Sequence, residues 1–135
     1  MISLLADANI QGQVGILIAR MQRNPWRDFW DYLQLHCVSF ADVDLHPSDP
    51  DEMVWRCCQE KELLLLTDNR NDDGPDSLEA TIRARNTPTS LPVFTIGNVR
   101  LLSSSAAYAD RVINQLIIYL LALDGIRGTG RLYLP

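Results

Sequence analysis

The chain has 135 residues, 47% apolar and 21% charged, which fits one globular domain with a real core and excludes a disordered chain. Its net charge of −5 argues against broad, non-specific nucleic-acid binding, which needs a basic surface. No stretch approaches the roughly 18 uncharged apolar residues of a membrane span, and the nearest, "VINQLIIYLLAL" (112–123), is interrupted by Asn114 and Gln115.

In chain order, "ISLLA" (2–6) reads as a short buried strand ending at Asp7. The spacing of Ile10, Val14, Leu17, Ile18 and Met21 predicts a helix over 10–22, broken by Asn24-Pro25. A second helix over 26–35 places Trp26, Phe29, Trp30 and Leu33 on one face, and "CVSFADV" (37–43) reads as a second strand. Acids and Pro50 open a helix over 48–62. "LLLLT" (63–67) has the continuous apolar run of a strand buried on both faces, as in the middle of a parallel sheet. A Pro-started helix follows over 75–85, with Glu79 and Arg83 as an i,i+4 pair. A fourth strand is expected over 91–97 and a long helix over about 104–124. Within 125–135, Gly125 reads as a helix C-cap and "RLYL" as an edge strand able to pair with a second subunit or partner. The alternation implies an α/β three-layer sandwich around a mostly parallel sheet, a single domain over 1–135 with 125–135 as a C-terminal extension.

Asp7 precedes any Lys or Arg, so the basic region of a secretory signal is missing from the start of the sequence. Cys37, Cys57 and Cys58 form an odd set without metal-ligand spacing, and a reducing cytoplasm is the expected compartment. His36 and His46 flank the second strand without a partner at ligand spacing and read as structural. The aromatic residues Trp26, Phe29, Trp30 and Tyr32 read as core or dimer surface, and Ser103, Ser104 and Ser105 as helix N-caps rather than nucleophiles.

The chemistry gathers at strand ends. Asp7 follows the first strand, Asp51 opens the helix before the third, and Asp68, Asn69, Asn71, Asp72 and Asp73 follow the third. Parallel strands bring such ends to one edge, where open α/β sheets bind their ligands. Clustered carboxylates repel unless a cation neutralises them, and hard ions such as Mg²⁺ or Mn²⁺ prefer oxygen ligands. Asp51 and Asp76 also read as acids placed to suit a helix dipole. Receiver domains and haloacid-dehalogenase phosphatases place acids here too, but both need a lysine beyond a later strand. Lys61, the single lysine, precedes the third strand instead, and position 9 is Asn rather than a second Asp. Nucleases of the PIN type use acids and metal without lysine.

"LLADANI" (4–10) and "SDPDEMVWRCCQEKELLLLTDNRN" (48–71) resemble motifs of the short PIN-like proteins grouped under the domain of unknown function DUF5615, and the resemblance runs over residues 1 to about 97. It implies a metal-dependent ribonuclease, with Asp7 and Asp51 as first ligands and Thr67 shaping the turn after the third strand. The candidate set is Asp7, Asp51 and Asp68 for catalysis, and those three with Asn69 and Asp73 for Mg²⁺ or Mn²⁺. Asn9, Thr67, Arg70 and Asn71 are candidate substrate contacts, Arg70 by a bidentate grip on phosphate or paired instead with Asp68 or Asp72. Asp76 and Glu79 are secondary candidates. The resemblance extends to toxins of toxin–antitoxin pairs, which implies an RNA substrate and a small antitoxin-like partner; the aromatic face of 26–32 and the terminal strand are where a homodimer would form. One departure stands out: Asn69 and Asn71 occupy positions where the family carries Asp. The alternative is therefore a binding or regulatory module with weakened or lost hydrolysis.

Overall fold

The computed structural model describes residues 1–71 and 74–135. Five strands, β1 (Ile2–Ala6), β2 (Leu35–Val38), β3 (Leu63–Thr67), β4 (Val93–Ile96) and β5 (Arg131–Leu134), form one sheet in the order β2-β1-β3-β4-β5. Every pairing is parallel, with Leu5 opposite Leu65, Thr67 opposite Thr95 and Val93 opposite Arg131. This order is that of a doubly wound sheet, whose connections reverse direction between β1 and β3.

The four leucines of β3 are explained by the two layers around it. Leu64 and Leu66 join Leu4, Ala6, Phe94 and Ile96 against the helices α1 (Gln11–Met21) and α6 (Ala106–Leu121). Leu63 and Leu65 point the other way, with Leu5 and Val93, onto α3 (Asp51–Glu60) and α4 (Leu78–Arg85). Every residue of β3 is buried, and each leucine contributes about 2 kcal/mol by transfer out of water. α2 (Arg27–Leu33) lies with the α1 layer, its Trp30 half-buried and its Phe29 and Tyr32 exposed.

Several boundaries differ from expectation, each for a local reason. β2 runs Leu35–Val38 rather than 37–43, because Ser39 and Asp42 exchange hydrogen bonds (Ser39 N to Asp42 Oδ2 at 2.9 Å, Asp42 N to Ser39 Oγ at 3.2 Å) and close a 3-10 turn over Ala41–Val43. α4 starts at Leu78, not at Pro75, because the Ser77 hydroxyl accepts from Ala80 N and caps it. The last helical stretch divides into α5 (Leu101–Ser104), α6 and α7 (Leu123–Ile126), with Ser105 accepting from Tyr108 N as the cap of α6. Gly125 lies inside α7 and caps nothing. β5 is the expected edge strand, paired on its inner side with β4. Among the described residues no helix is long and apolar enough to cross a membrane.

Candidate functional site

Beyond the carboxyl ends of β1 and β3, where the sheet order reverses, lies an open cleft of about 470 Å³ lined by Asp7, Ala8, Asn9, Pro47, Asp51, Asp68 and Asn69. The parallel register puts Asp7 and Asp68 one step past adjacent strand ends, and Asp51 arrives as the first residue of α3. Pro50 is the N-cap and offers no side-chain hydrogen bond, and Asp51 stands in the first turn of α3, where an acid suits the helix dipole.

Hydrogen bonds order the cleft. Asp7 Oδ1 accepts from Ala8 N at 2.8 Å, and Oδ2 accepts from the Thr67 hydroxyl at 2.6 Å. Thr67 is fully buried, and its Oγ1 accepts in turn from Asn69 N at 3.0 Å. Asn69 Nδ2 donates to Asp51 Oδ2 at 3.1 Å while its Oδ1 accepts from Asn71 N at 3.0 Å. The two contacts fix the amide, nitrogen toward Asp51. Asn9 Nδ2 donates to Asp68 Oδ1 at 3.3 Å.

Burial pushes the Asp7 carboxyl above its ordinary value; the hydrogen bonds from Thr67 and Ala8 oppose the shift, and the charges of Asp51 and Asp68 add to it. A partly buried acid facing two further carboxylates is the electrostatic signature of a site that favours a proton or a cation.

The donor chemistry suits a hard divalent cation in part: the cleft offers carboxylate oxygens, while Asn9 and Asn69 meet Asp68 and Asp51 through their amide nitrogens. The spacing is looser. Among the described residues no three Asp, Glu, His or Cys side chains are grouped closely enough to hold one ion. Asn69 is part of the reason, as it meets Asp51 with a donor where an acid would bring a ligand oxygen.

The remaining candidates are placed differently. Arg70 is exposed and donates to Gly97 O at 3.3 Å; of the two carboxylates it was expected to pair with, Asp72 lies outside the described residues. Asn71 is exposed beside Asn69. Asp76 is exposed and lies just before Ser77, the N-cap of α4. Glu79 does not line the cleft: its carboxylate pairs with Arg131 at 3.0 Å and with Arg83 at 3.3 Å. Asp72 and Asp73 lie outside the described residues.

Arg131 is the residue that sequence reasoning passed over. It reaches from β5 to the carbonyl of Asn69 at 2.8 Å. The available signal was a lone arginine opening an otherwise apolar strand. Compared with known proteins, the chain matches no family model, no curated protein and no solved structure.

Proposed function

We propose that the chain is a slow, metal-dependent ribonuclease of PIN-like type, with Asp7, Asp51 and Asp68 as its working groups. One observation carries the reading: three partly buried carboxylates, one of them with its pKa raised chiefly by burial, share an open cleft at the reversal point of a parallel sheet. The resemblance of residues 4–10 and 48–71 to PIN-like motifs supports it, and with it single-stranded RNA as substrate and a small antitoxin-like partner in the cytoplasm.

Asp7, Asp51 and Asp68 would hold a Mg²⁺ or Mn²⁺, which would supply positive charge to activate water and offset charge on the phosphate. The protein's own groups prepare the cleft. Thr67 and the Ala8 amide hold both oxygens of Asp7, so its carboxylate keeps one orientation. Asn9 steadies Asp68, and Asn69 steadies Asp51. Arg70, exposed on the same turn, reaches a non-bridging phosphate oxygen once it leaves Gly97.

The second reading, a binding or regulatory module without hydrolysis, is favoured by Asn69. Its amide satisfies Asp51 without bringing charge, which weakens the demand for a cation.

Thermal melting with and without metal tests the proposal. A cation that binds the native state alone stabilises it by about 1.4 kcal/mol at ten times its Kd. The melting temperature is expected to rise with Mg²⁺ or Mn²⁺ in the wild type and to stay put in Asp7→Asn. A wild type indifferent to both metals would remove the metal-dependent reading.

A further inference from the structure

Arg131 opens β5 opposite Val93, and its side chain is only 6% exposed. Nη1 donates to Asn69 O at 2.8 Å and to Thr95 Oγ1 at 2.6 Å, while Nε donates to Glu79 Oε1 at 3.0 Å. Nη2 has no partner among the described residues. A buried guanidinium is costly to keep, and among the described residues this one is balanced by a single carboxylate that it shares with the exposed Arg83. What it reaches explains its place. Its contacts join the last strand, the middle of β4, the start of α4 and the turn after β3.

That turn has no helix or strand of its own at residues 68–71, yet it carries Asp68 and Asn69. Asn69 is its hub. The backbone N–H meets the same Thr67 hydroxyl that holds Asp7, the side-chain amide meets Asp51, and the carbonyl meets Arg131.

We infer that Arg131 is a positioning residue for the cleft: from β5 it clamps the Asn69 carbonyl and so sets where Asp51 and Asp68 stand relative to Asp7. Its relevance to catalysis rests on the ribonuclease reading of that cleft; its effect on the turn does not. The planar fork matters, because three partners lie in different directions and a single point charge cannot meet them in the same geometry.

Native-state hydrogen exchange separates a clamp from a merely structural ion pair. In Arg131→Met, the Asn69 and Asn71 amides are expected to exchange roughly tenfold faster or more relative to the Leu65 amide in β3, the opening expected when one charge-assisted hydrogen bond is lost. The double variant Arg131→Met, Glu79→Gln removes the buried charge together with its partly exposed partner and protects against failure to fold; the same selective loosening is expected there. Asn69 and Asn71 exchange that is unchanged, or accelerated only in step with Leu65, in whichever variant folds would overturn the inference. The Mn²⁺ melting response, measured alongside, is expected to shrink in both variants. A wild type with no such response removes the metal-dependent reading, while the exchange comparison still decides the role of Arg131.

Discussion

The hydroxyl of Thr67, at the end of β3, donates to Asp7 Oδ2 at 2.6 Å across the neighbouring strand β1. Thr67 Oγ1 in turn accepts from Asn69 N, so one buried side chain ties an acid to the turn that carries the others. Thr67→Val keeps the shape and removes both contacts. It is expected to cost about 1–3 kcal/mol in urea unfolding, because a buried acceptor and an N–H lose their partner. The Asp7 carboxyl should titrate still higher, since a contact that lowers its pKa is gone. Carboxyl chemical shifts followed through an acid titration check the second part, and an Asp7 titration that stays put would separate Thr67 from the acid.

Asp7 also makes stability depend on pH. Its folded pKa is raised, chiefly by burial, above the ordinary 3.8, so the native state takes the proton more readily than the unfolded chain does. Its favourable contribution is complete below 3.8 and is lost as pH rises through the folded value. Asp7→Asn removes the ionisation. In chelator, its melting temperature is expected to exceed that of the wild type at neutral pH, with the gap closing as the pH falls toward the ordinary carboxyl value. A difference that does not vary with pH would contradict this.

The sheet was legible because its signals are local and redundant. Leu63 to Leu66 alternate between two helix layers, so both faces demand apolar side chains, and the short run "ISLLA" repeats that demand beside it. The Glu79–Arg83 pair was also visible, since i,i+4 spacing fixes it within one helix. The acids of the cleft could be assembled from parallel topology alone, since it sends Asp7 and Asp68 to the same edge. What could not be read depends on where side chains turn. Ser39 and Asp42 convert the end of an apolar segment into a 3-10 turn, which periodicity does not distinguish from a continuing strand. Arg131 meets Asn69 from 62 positions away, and no spacing rule reaches that far.

The thiols report on the same packing. Cys58 faces the core of the α3 layer, where burial pushes it up to about 12, with the charges of Cys57 and Asp7 adding to the shift. Cys37 is exposed. Alkylation of the native protein near pH 8 should therefore mark Cys37 first and leave Cys58 untouched until unfolding. Mass mapping of the modified peptides checks the order, and early labelling of Cys58 would contradict the packing of α3 on β3.

Asn69 is where charge could be restored. Asn69→Asp with Asn71→Asp replaces a donor to Asp51 by a carboxylate. Without metal the loss of that hydrogen bond to a charged group is expected to cost about 1.5–3 kcal/mol. With Mn²⁺ the melting response should exceed that of the wild type, because added anionic oxygens raise affinity for a hard cation. Equal metal responses in the two proteins would show that the Asn69 position lies outside any ligand shell.

Cleavage of a single-stranded RNA by the purified protein tests the central claim most directly, run with Mn²⁺, with Mg²⁺ and with chelator, against the Asp7→Asn, Asp51→Asn variant. The account predicts slow cleavage by the wild type, faster with Mn²⁺ than with Mg²⁺, abolished by chelator and absent in the variant. Cleavage that survives in the variant, or none at all in a wild-type protein that binds the metal, would contradict it.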